Sequence, residues 1–125
     1  MKLNRLVSAA TVGFVITAGG CVDETANTPP PASLGTLASG VRILEFGATW
    51  CGPCQQMKPI LDQYEAETGS VIHRLDVDES PAIAQHFRVS SIPTIVVLQD
   101  GRVVDRLVGV QPLALLKSEL PANAR

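Results

Sequence analysis

The sequence contains few aromatic residues, few cysteines and no excess of charge. Among its 125 residues are one tryptophan, one tyrosine, three phenylalanines and three cysteines, and the formal net charge is −2. Three cysteines can form one bridge and leave one over, which excludes a framework of several disulfides. No basic patch stands out, which argues against nucleic acid as a partner. The length supports one domain, since a second hydrophobic core would not fit.

The N-terminus has a short apolar run but not one long enough to cross a membrane. Lys2 and Arg5 precede the run from Leu6 to Ala18, and its 13 residues fall short of the roughly 20 that a transmembrane helix needs. Small residues follow, up to Gly20. This is the layout of an export signal, so residues 1–20 are predicted to be a signal peptide.

Cys21 directly follows these small residues. Ala18 to Cys21 resembles the end of a bacterial lipoprotein signal, in which the cysteine is lipidated and becomes the mature N-terminus, although leucine is usual at the place of Ala18. The resemblance implies export across the bacterial inner membrane to the periplasmic or cell-envelope side, with a lipid anchor on Cys21. Cleavage near Gly20 that leaves Cys21 unmodified is the alternative.

Residues 21–39 are predicted to be a flexible tether. They show no apolar periodicity and include the run Pro29-Pro30-Pro31, and consecutive prolines favour an extended chain. A tether of this kind suits a lipid anchor. Residues 40–125 are then the folded domain.

Two cysteines, Cys51 and Cys54, lie between an apolar run and a helical pattern. The run from Val41 to Phe46 is typical of a buried strand. Between Pro53 and Thr68, apolar residues recur at helical spacing. They are Met57, Ile60, Leu61 and Tyr64. The cysteines are therefore predicted at the start of a helix, with Cys51 near its first turn and Cys54 one turn inside.

The start of a helix suits a reactive thiol. Unpaired backbone N–H groups and the positive end of the helix dipole favour thiolate there, so the pKa of Cys51 is expected below the value of about 8.5 of free cysteine. The spacing brings Cys54 within disulfide reach. Gly52 removes bulk beside the attacking sulfur, and Pro53 fits the first helical position. The pattern predicts reversible dithiol–disulfide exchange.

A Cys-x-x-Cys pair is also half of many zinc sites, but the other ligands are missing. A structural zinc site needs four ligands, and the remaining candidates are Cys21, His73 and His86. The two histidines are too far apart for the usual spacing of paired zinc ligands. We therefore expect neither a metal nor an organic cofactor.

The rest of the domain predicts alternating strands and helices, closed by a hairpin. Pro59 is expected to kink the first helix, Gly69 to end it, and Ser80 to stand at the N-cap of the second. Asp100-Gly101 is a strong hairpin turn signal. The further strands are expected over Val71 to Val77, Ile95 to Leu98 and Arg102 to Val108, and the further helices over Pro81 to Phe87 and Leu113 to Leu120. This order predicts a mixed sheet with helices on both faces.

With these segments placed, about residues 40–120 resemble the thioredoxin family. The pentapeptide from Trp50 to Cys54 (Trp-Cys-Gly-Pro-Cys) matches the active-site motif of that family. The resemblance implies the α/β thioredoxin fold, a central mixed β-sheet flanked by helices. It also implies that Cys51 attacks the target disulfide and that Cys54 resolves the mixed disulfide.

The same resemblance places the substrate beside the cysteines. Ile92-Pro93-Thr94 matches a loop that holds a cis proline opposite the disulfide, where the backbone pairs with an extended substrate chain. Gly109 matches a glycine that leaves room for this substrate. Trp50 either packs over the sulfurs or contacts partner proteins. The residues predicted to bind substrate are Trp50, Gly52, Pro53, Ile92, Pro93 and Gly109.

Three departures from the family pattern bear on function. Glu45 stands where the family has a buried aspartate that accepts the proton of the resolving cysteine, and the resemblance gives Glu45 this role, since burial raises a carboxyl pKa. An exposed strand carboxylate is the alternative. Gly47 replaces a bulky aromatic residue, which is expected to loosen the packing under the site. The stretch before Val41 is too short for the first strand and helix of the family, so an N-terminal strand is expected to be missing or short.

Together these features predict an exported, membrane-anchored and monomeric thiol–disulfide oxidoreductase. It would reduce protein disulfides through Cys51 and Cys54 and take its electrons from a partner protein. Two other classes remain open. One is a disulfide oxidase or isomerase on the same scaffold, against which the Gly52-Pro53 dipeptide argues. The other is a non-catalytic module that binds partners through the cis-proline groove.

Overall fold

The computed structural model describes Gly35, Leu37 and residues 39–125. The predicted signal peptide, Cys21 and most of the predicted tether lie outside the described residues. Four strands and three helices follow one another in the described part, each within one residue of its predicted ends. They are β1 (Val41–Gly47), α1 (Gly52–Thr68), β2 (Ile72–Asp76), α2 (Pro81–His86), β3 (Thr94–Gln99), β4 (Arg102–Val108) and α3 (Leu113–Glu119).

The strands form one mixed sheet in the order β2-β1-β3-β4. β1 runs parallel to β2, with Glu45 opposite Arg74 and Gly47 opposite Asp76. β3 runs antiparallel to both β1 and β4. A parallel pair needs a crossover connection, and α1 supplies it. Within the described residues no strand precedes β1, and β2 forms one edge of the sheet.

Successive side chains of the strands point to opposite faces of the sheet, and each face has its own hydrophobic core. One core joins β1 and β3 to α1 and α3 through Ile43, Met57, Leu61, Tyr64, Ile95, Val97 and Leu116. The other joins the same strands to α2 through Leu44, Phe46, Ala84, Phe87, Val96 and Leu98. Helices therefore cover both faces, as predicted. By the same alternation, Glu45 and Gly47 fall on the face covered by α1.

Local signals account for the ends of the elements. Gly69 ends α1 in the left-handed region with φ 68°, and its N–H donates to the Glu65 carbonyl oxygen at 2.9 Å. Asp100 and Gly101 both have positive φ, 51° and 78°, as a tight two-residue hairpin turn requires. Ser80 is the N-cap of α2, as predicted, although its side chain makes no capping hydrogen bond. Pro81, whose φ is fixed near the helical value, begins that helix.

Candidate active site

The junction of β1 and α1 brings the two cysteines together. Cys51 is the N-cap of α1 and has an extended backbone, with φ −84° and ψ 111°. The helix begins at Gly52, one residue earlier than predicted, so Pro53 is its second residue. Cys51 and Cys54 form the expected disulfide, and their Cα atoms are 5.2 Å apart.

The sulfur of Cys51 accepts a hydrogen bond from the start of the helix. The N–H of Cys54 donates to Cys51 Sγ, with 3.3 Å between nitrogen and sulfur. This donor and the helix dipole stabilise negative charge on that sulfur when the bridge is reduced. The geometry therefore favours Cys51 as the nucleophile.

The two sulfurs face different surroundings, although both cysteines are buried, with exposed fractions of 5% and 8%. Cys51 Sγ lies 4.0 Å from the carbonyl oxygen of Ile92. Cys54 Sγ lies beside Gly47, 3.4 Å from the place where a Cβ would stand at that glycine. A disulfide bound along the Ile92 backbone would therefore meet Cys51, while Cys54 faces the side of β1 that carries Glu45.

The peptide bond between Ile92 and Pro93 is cis, as predicted. Pro93 is buried, and its carbonyl oxygen accepts a hydrogen bond from the N–H of Gly109 at 2.8 Å. Gly109 has φ 86°, and a Cβ built there would meet nothing within 4 Å. The space beside this glycine is open, and its left-handed backbone is what favours glycine over other residues.

Trp50 projects from the site and is anchored at its indole nitrogen. The side chain is 69% exposed. Its Nε1–H donates to Asp78 Oδ2 at 2.6 Å, and the Asp78 N–H donates to Asp76 Oδ1 at 2.8 Å. The sequence indicates no more for Asp78 than a solvated charge at a strand end. The exposed, anchored ring favours contact with partner proteins.

Glu45 is buried, with 8% of its surface exposed, so the alternative of an exposed strand carboxylate is wrong. Burial raises the pKa of its carboxyl above the ordinary value, and the Arg74 guanidinium lowers it by a smaller amount. Arg74 itself pairs with Asp62 at 2.6 Å and with Glu65 at 2.8 Å, both on α1. The position suits a proton acceptor, and that role of Glu45 stays a prediction.

A cleft between α1 and the end of β2 leads from solvent to Cys54 and Glu45. Its volume is about 270 Å³, and Gly47, Lys58 and Arg74 line it. Of these, only Gly47 departs from the family pattern, and the sequence indicates no more for Arg74 than a solvated charge at a strand end. The cleft joins residues from separate elements, and so no local pattern predicts it.

The structure gathers the predicted site residues around the cysteine pair. Gly52 and Pro53 are exposed beside Cys51, and Trp50, the cis-proline loop and Gly109 complete the surface. Only Cys21 lies outside the described residues. Within that described part, no three His, Cys, Asp or Glu side chains are grouped so that they could hold a metal ion. Nor does any helix there combine the length and the apolar character that crossing a membrane requires.

Comparison with known proteins finds the same pattern. The sequence model of the thioredoxin family matches residues 36–122. A thioredoxin of Staphylococcus aureus is 49% identical over 78 residues, which are 61% of this chain and 75% of that protein. A mutant thioredoxin of Halobacterium salinarum superimposes with a TM-score of 0.61 at 36% identity, covering 66% of this chain and 74% of that one. Oxidised mitochondrial thioredoxin 3 of Saccharomyces cerevisiae superimposes with a TM-score of 0.58 at 38% identity, covering 64% of this chain and 76% of that one.

Proposed function

The chain belongs to the thioredoxin family, and from this premise we propose that it is an exported, lipid-anchored reductase of protein disulfides. Thiol–disulfide exchange follows from the family and from the Cys51–Cys54 bridge. The direction of exchange, the export and the anchor are the finer proposal. The observation that carries the mechanism is the separate placement of the two sulfurs, Cys51 Sγ near Ile92 and Cys54 Sγ beside Gly47.

In the first step, the Cys51 thiolate attacks one sulfur of a target disulfide lying along Ile92 and Pro93. The target S–S bond breaks, its second sulfur leaves as a thiolate, and a mixed disulfide joins Cys51 to the target. The N–H of Cys54, 3.3 Å from Cys51 Sγ, stabilises the attacking thiolate. Trp50 provides exposed apolar surface beside this target.

In the second step, Cys54 releases the target. Glu45 accepts the proton of the Cys54 thiol, and the resulting thiolate attacks Cys51 Sγ. The Cys51–Cys54 bridge forms, and the remaining target sulfur leaves as a thiolate. Two electrons have then passed from the pair to the target, and a partner protein must return them. These steps use no metal and no organic cofactor.

Sequence features support the finer proposal. The Gly52-Pro53 dipeptide between the cysteines is that of reductants in the families that this chain resembles. Export and anchoring rest on the charged start, the apolar run and the small residues that lead to Cys21. The intact cysteine pair argues against a module that only binds partners.

Trapping of the mixed disulfide tests the mechanism. With Cys21→Ser in both chains, a Cys54→Ser variant should accumulate a covalent adduct with a disulfide-containing protein, because no second thiol releases it. Cys51→Ser should accumulate none. Non-reducing gels followed by mass spectrometry identify the adduct. Equal adducts from both variants would contradict the assignment of Cys51 as the attacking sulfur.

The mature N-terminus tests the anchor. After expression of the full chain in a bacterium, mass spectrometry of the membrane fraction should find a lipidated N-terminal Cys21. A Cys21→Ser variant should lose the lipid and leave the membrane fraction. An unmodified Cys21 within an uncleaved chain would contradict both export and anchoring.

A further inference from the structure

The glycine at position 47 lies beside both the Glu45 carboxylate and the Cys54 sulfur. A Cβ at this position would lie 3.0 Å from Glu45 Oε1 and 3.4 Å from Cys54 Sγ. The carboxylate oxygen and the sulfur are therefore separated by no more than the sum of these two distances. Any side chain at position 47 would begin within contact distance of both groups.

The backbone at Gly47 does not itself require glycine. Gly47 is the last residue of β1 and pairs with Asp76 of β2, and it is not among the glycines with positive φ. Any residue could adopt this conformation. The reason for glycine here is the space that its missing side chain leaves.

That space is needed because the neighbouring acid is a glutamate. A contact of 3.0 Å is tighter than nine in ten Cβ contacts in real proteins, so the neighbouring oxygen would have to move by a few tenths of an ångström. The atom at this distance is at the end of the Glu45 side chain, and Cys54 is held in α1, so the carboxylate is the group that would shift. An aspartate would end one carbon–carbon bond, or about 1.5 Å, short of the same place.

The space also opens on the cleft. The cleft volume of about 270 Å³ is far above the roughly 10–15 Å³ that one water molecule requires. Its lining includes neither Trp50 nor Ile92 nor Pro93. A protein held in a mixed disulfide with Cys51 would cover those three residues and leave the cleft accessible to water.

The charged groups that line the cleft with the carboxylate are Lys58 of α1, Arg74 and Asp76 of β2, and Glu79 of the turn after β2. Arg74 is paired to Asp62 and Glu65.

We propose that Gly47 is a positioning residue that holds open the space in which the Glu45 carboxylate stands beside Cys54 and exchanges its proton with water in the cleft. The proton of Cys54 then leaves through the cleft while the target covers Trp50, Ile92 and Pro93. This inference rests on the proposed function, since it concerns the step in which Cys54 releases the target.

The two phases of reaction with dithiobis(nitrobenzoate) separate the roles of the cysteines. Cys51 releases the first thionitrobenzoate when it forms a mixed disulfide, and Cys54 releases the second when it closes the bridge. Stopped-flow absorbance would follow both phases as a function of pH in the reduced full chain, with Cys21→Ser in every variant so that only the pair reacts.

The variants are Gly47→Ala, Glu45→Asp and the double variant. Gly35→Ala is the matched control, because a Cβ at Gly35 would meet nothing within 4 Å.

Gly47→Ala should slow the second phase about tenfold at neutral pH, part of the 10²–10⁴ that general acid–base catalysis contributes, and should raise the midpoint of its pH profile. The first phase should not change. When Gly47→Ala is added to Glu45→Asp, it should change neither phase relative to Glu45→Asp alone, and Gly35→Ala should behave as the wild type. An equal effect of alanine in both backgrounds, or no effect in either, would overturn the proposal.

Folding is checked by thermal unfolding of each variant. If Gly47→Ala fails to fold while the double variant folds, the two positions are coupled by space, as proposed. If neither folds, the coupling is absent and the proposal is wrong. A wild-type chain that shows no second phase would instead contradict the proposed function.

Discussion

Glu45 places a carboxyl in a buried position of β1, which couples stability to pH. Burial raises the pKa of this carboxyl in the folded chain, whereas in the unfolded chain it is about 4.3. The folded state therefore holds the proton more tightly. The stability that this group contributes is complete below the unfolded pKa and is lost as the pH rises through the folded pKa.

Glu45→Gln removes this loss, and so we expect the variant to gain stability relative to the wild type as the pH rises from about 4 to about 8. Urea denaturation at several pH values measures the difference in the free energy of unfolding. Glu67→Gln is the control, because Glu67 is exposed and hydrogen bonding with Lys117 lowers the pKa of its carboxyl. The contribution of the Glu67 carboxyl to the free energy of unfolding should be small and should depend on pH in the opposite direction. Parallel curves for wild type and Glu45→Gln would contradict the prediction.

Asp78 fixes the only tryptophan of the chain through the hydrogen bond at Nε1. Asp78→Ala removes the acceptor, and the lost hydrogen bond should weaken the fixing of the Trp50 ring by about 1 kcal/mol. The variant should therefore raise KM for a protein disulfide more than it lowers kcat. Asp78→Asn keeps an oxygen that can accept the bond and should retain most of the affinity. Fluorescence of Trp50 reports the loss of its fixed environment. Equal KM values for the alanine variant and the wild type would show that the anchor does not serve binding.

Among the elements, α1 contains Cys54 and has Cys51 as its N-cap, and its end depends on Gly69. Gly69 has φ 68°, and a Cβ at this residue would lie 3.5 Å from Asn123 Oδ1, which is an ordinary van der Waals contact. Gly69→Ala therefore costs chiefly backbone strain, about 1–2 kcal/mol, and Gly69→Asn should cost less because asparagine tolerates this region. Urea denaturation compares the two. Equal losses would indicate that a steric clash, rather than φ, limits the position.

The elements themselves could be predicted from the sequence because their signals are local. The apolar run from Val41 to Phe46, Gly69 after the helical pattern and the Asp100-Gly101 turn each act through neighbouring residues. The bond between Trp50 and Asp78 joins residues 28 positions apart, and neither residue type by itself indicates the other. The spatial relation of Arg74 to Glu45 likewise depends on how β2 pairs with β1, which no local pattern specifies.

At the scale of the whole molecule, the cysteine pair has two sides with different properties. The side of Cys51 carries Trp50 and the Ile92–Pro93 loop, which suits a protein chain. The side of Cys54 opens on a cleft with charged walls, which suits water and protons. The predicted burial of Glu45 follows from its apolar neighbours in the strand, but the cleft required the assembled sheet and helix.

The surroundings of Cys51 also predict the direction of exchange. A bridge is a strong oxidant when its reduced form is strongly stabilised. Here Cys51 and Cys54 form an apolar cluster with Ala48, against which the partly buried Val77 and Ile92 pack. The carbonyl oxygen of Ile92 lies 4.0 Å from Cys51 Sγ and opposes negative charge there. The N–H of Cys54 and the helix dipole favour a thiolate, but an apolar setting limits the gain.

We therefore expect a reducing potential for the pair, close to the reference value of about −270 mV for thioredoxin. Equilibration of the full chain, with Cys21→Ser, in glutathione buffers of graded composition measures it, with the bridged fraction read by thiol alkylation and mass spectrometry. A potential near the value of about −120 mV of a strong periplasmic oxidant would reverse the proposed direction, because the protein would then make disulfides in its targets. A pair that never forms a bridge in these buffers would contradict exchange in either direction and leave the partner-binding module.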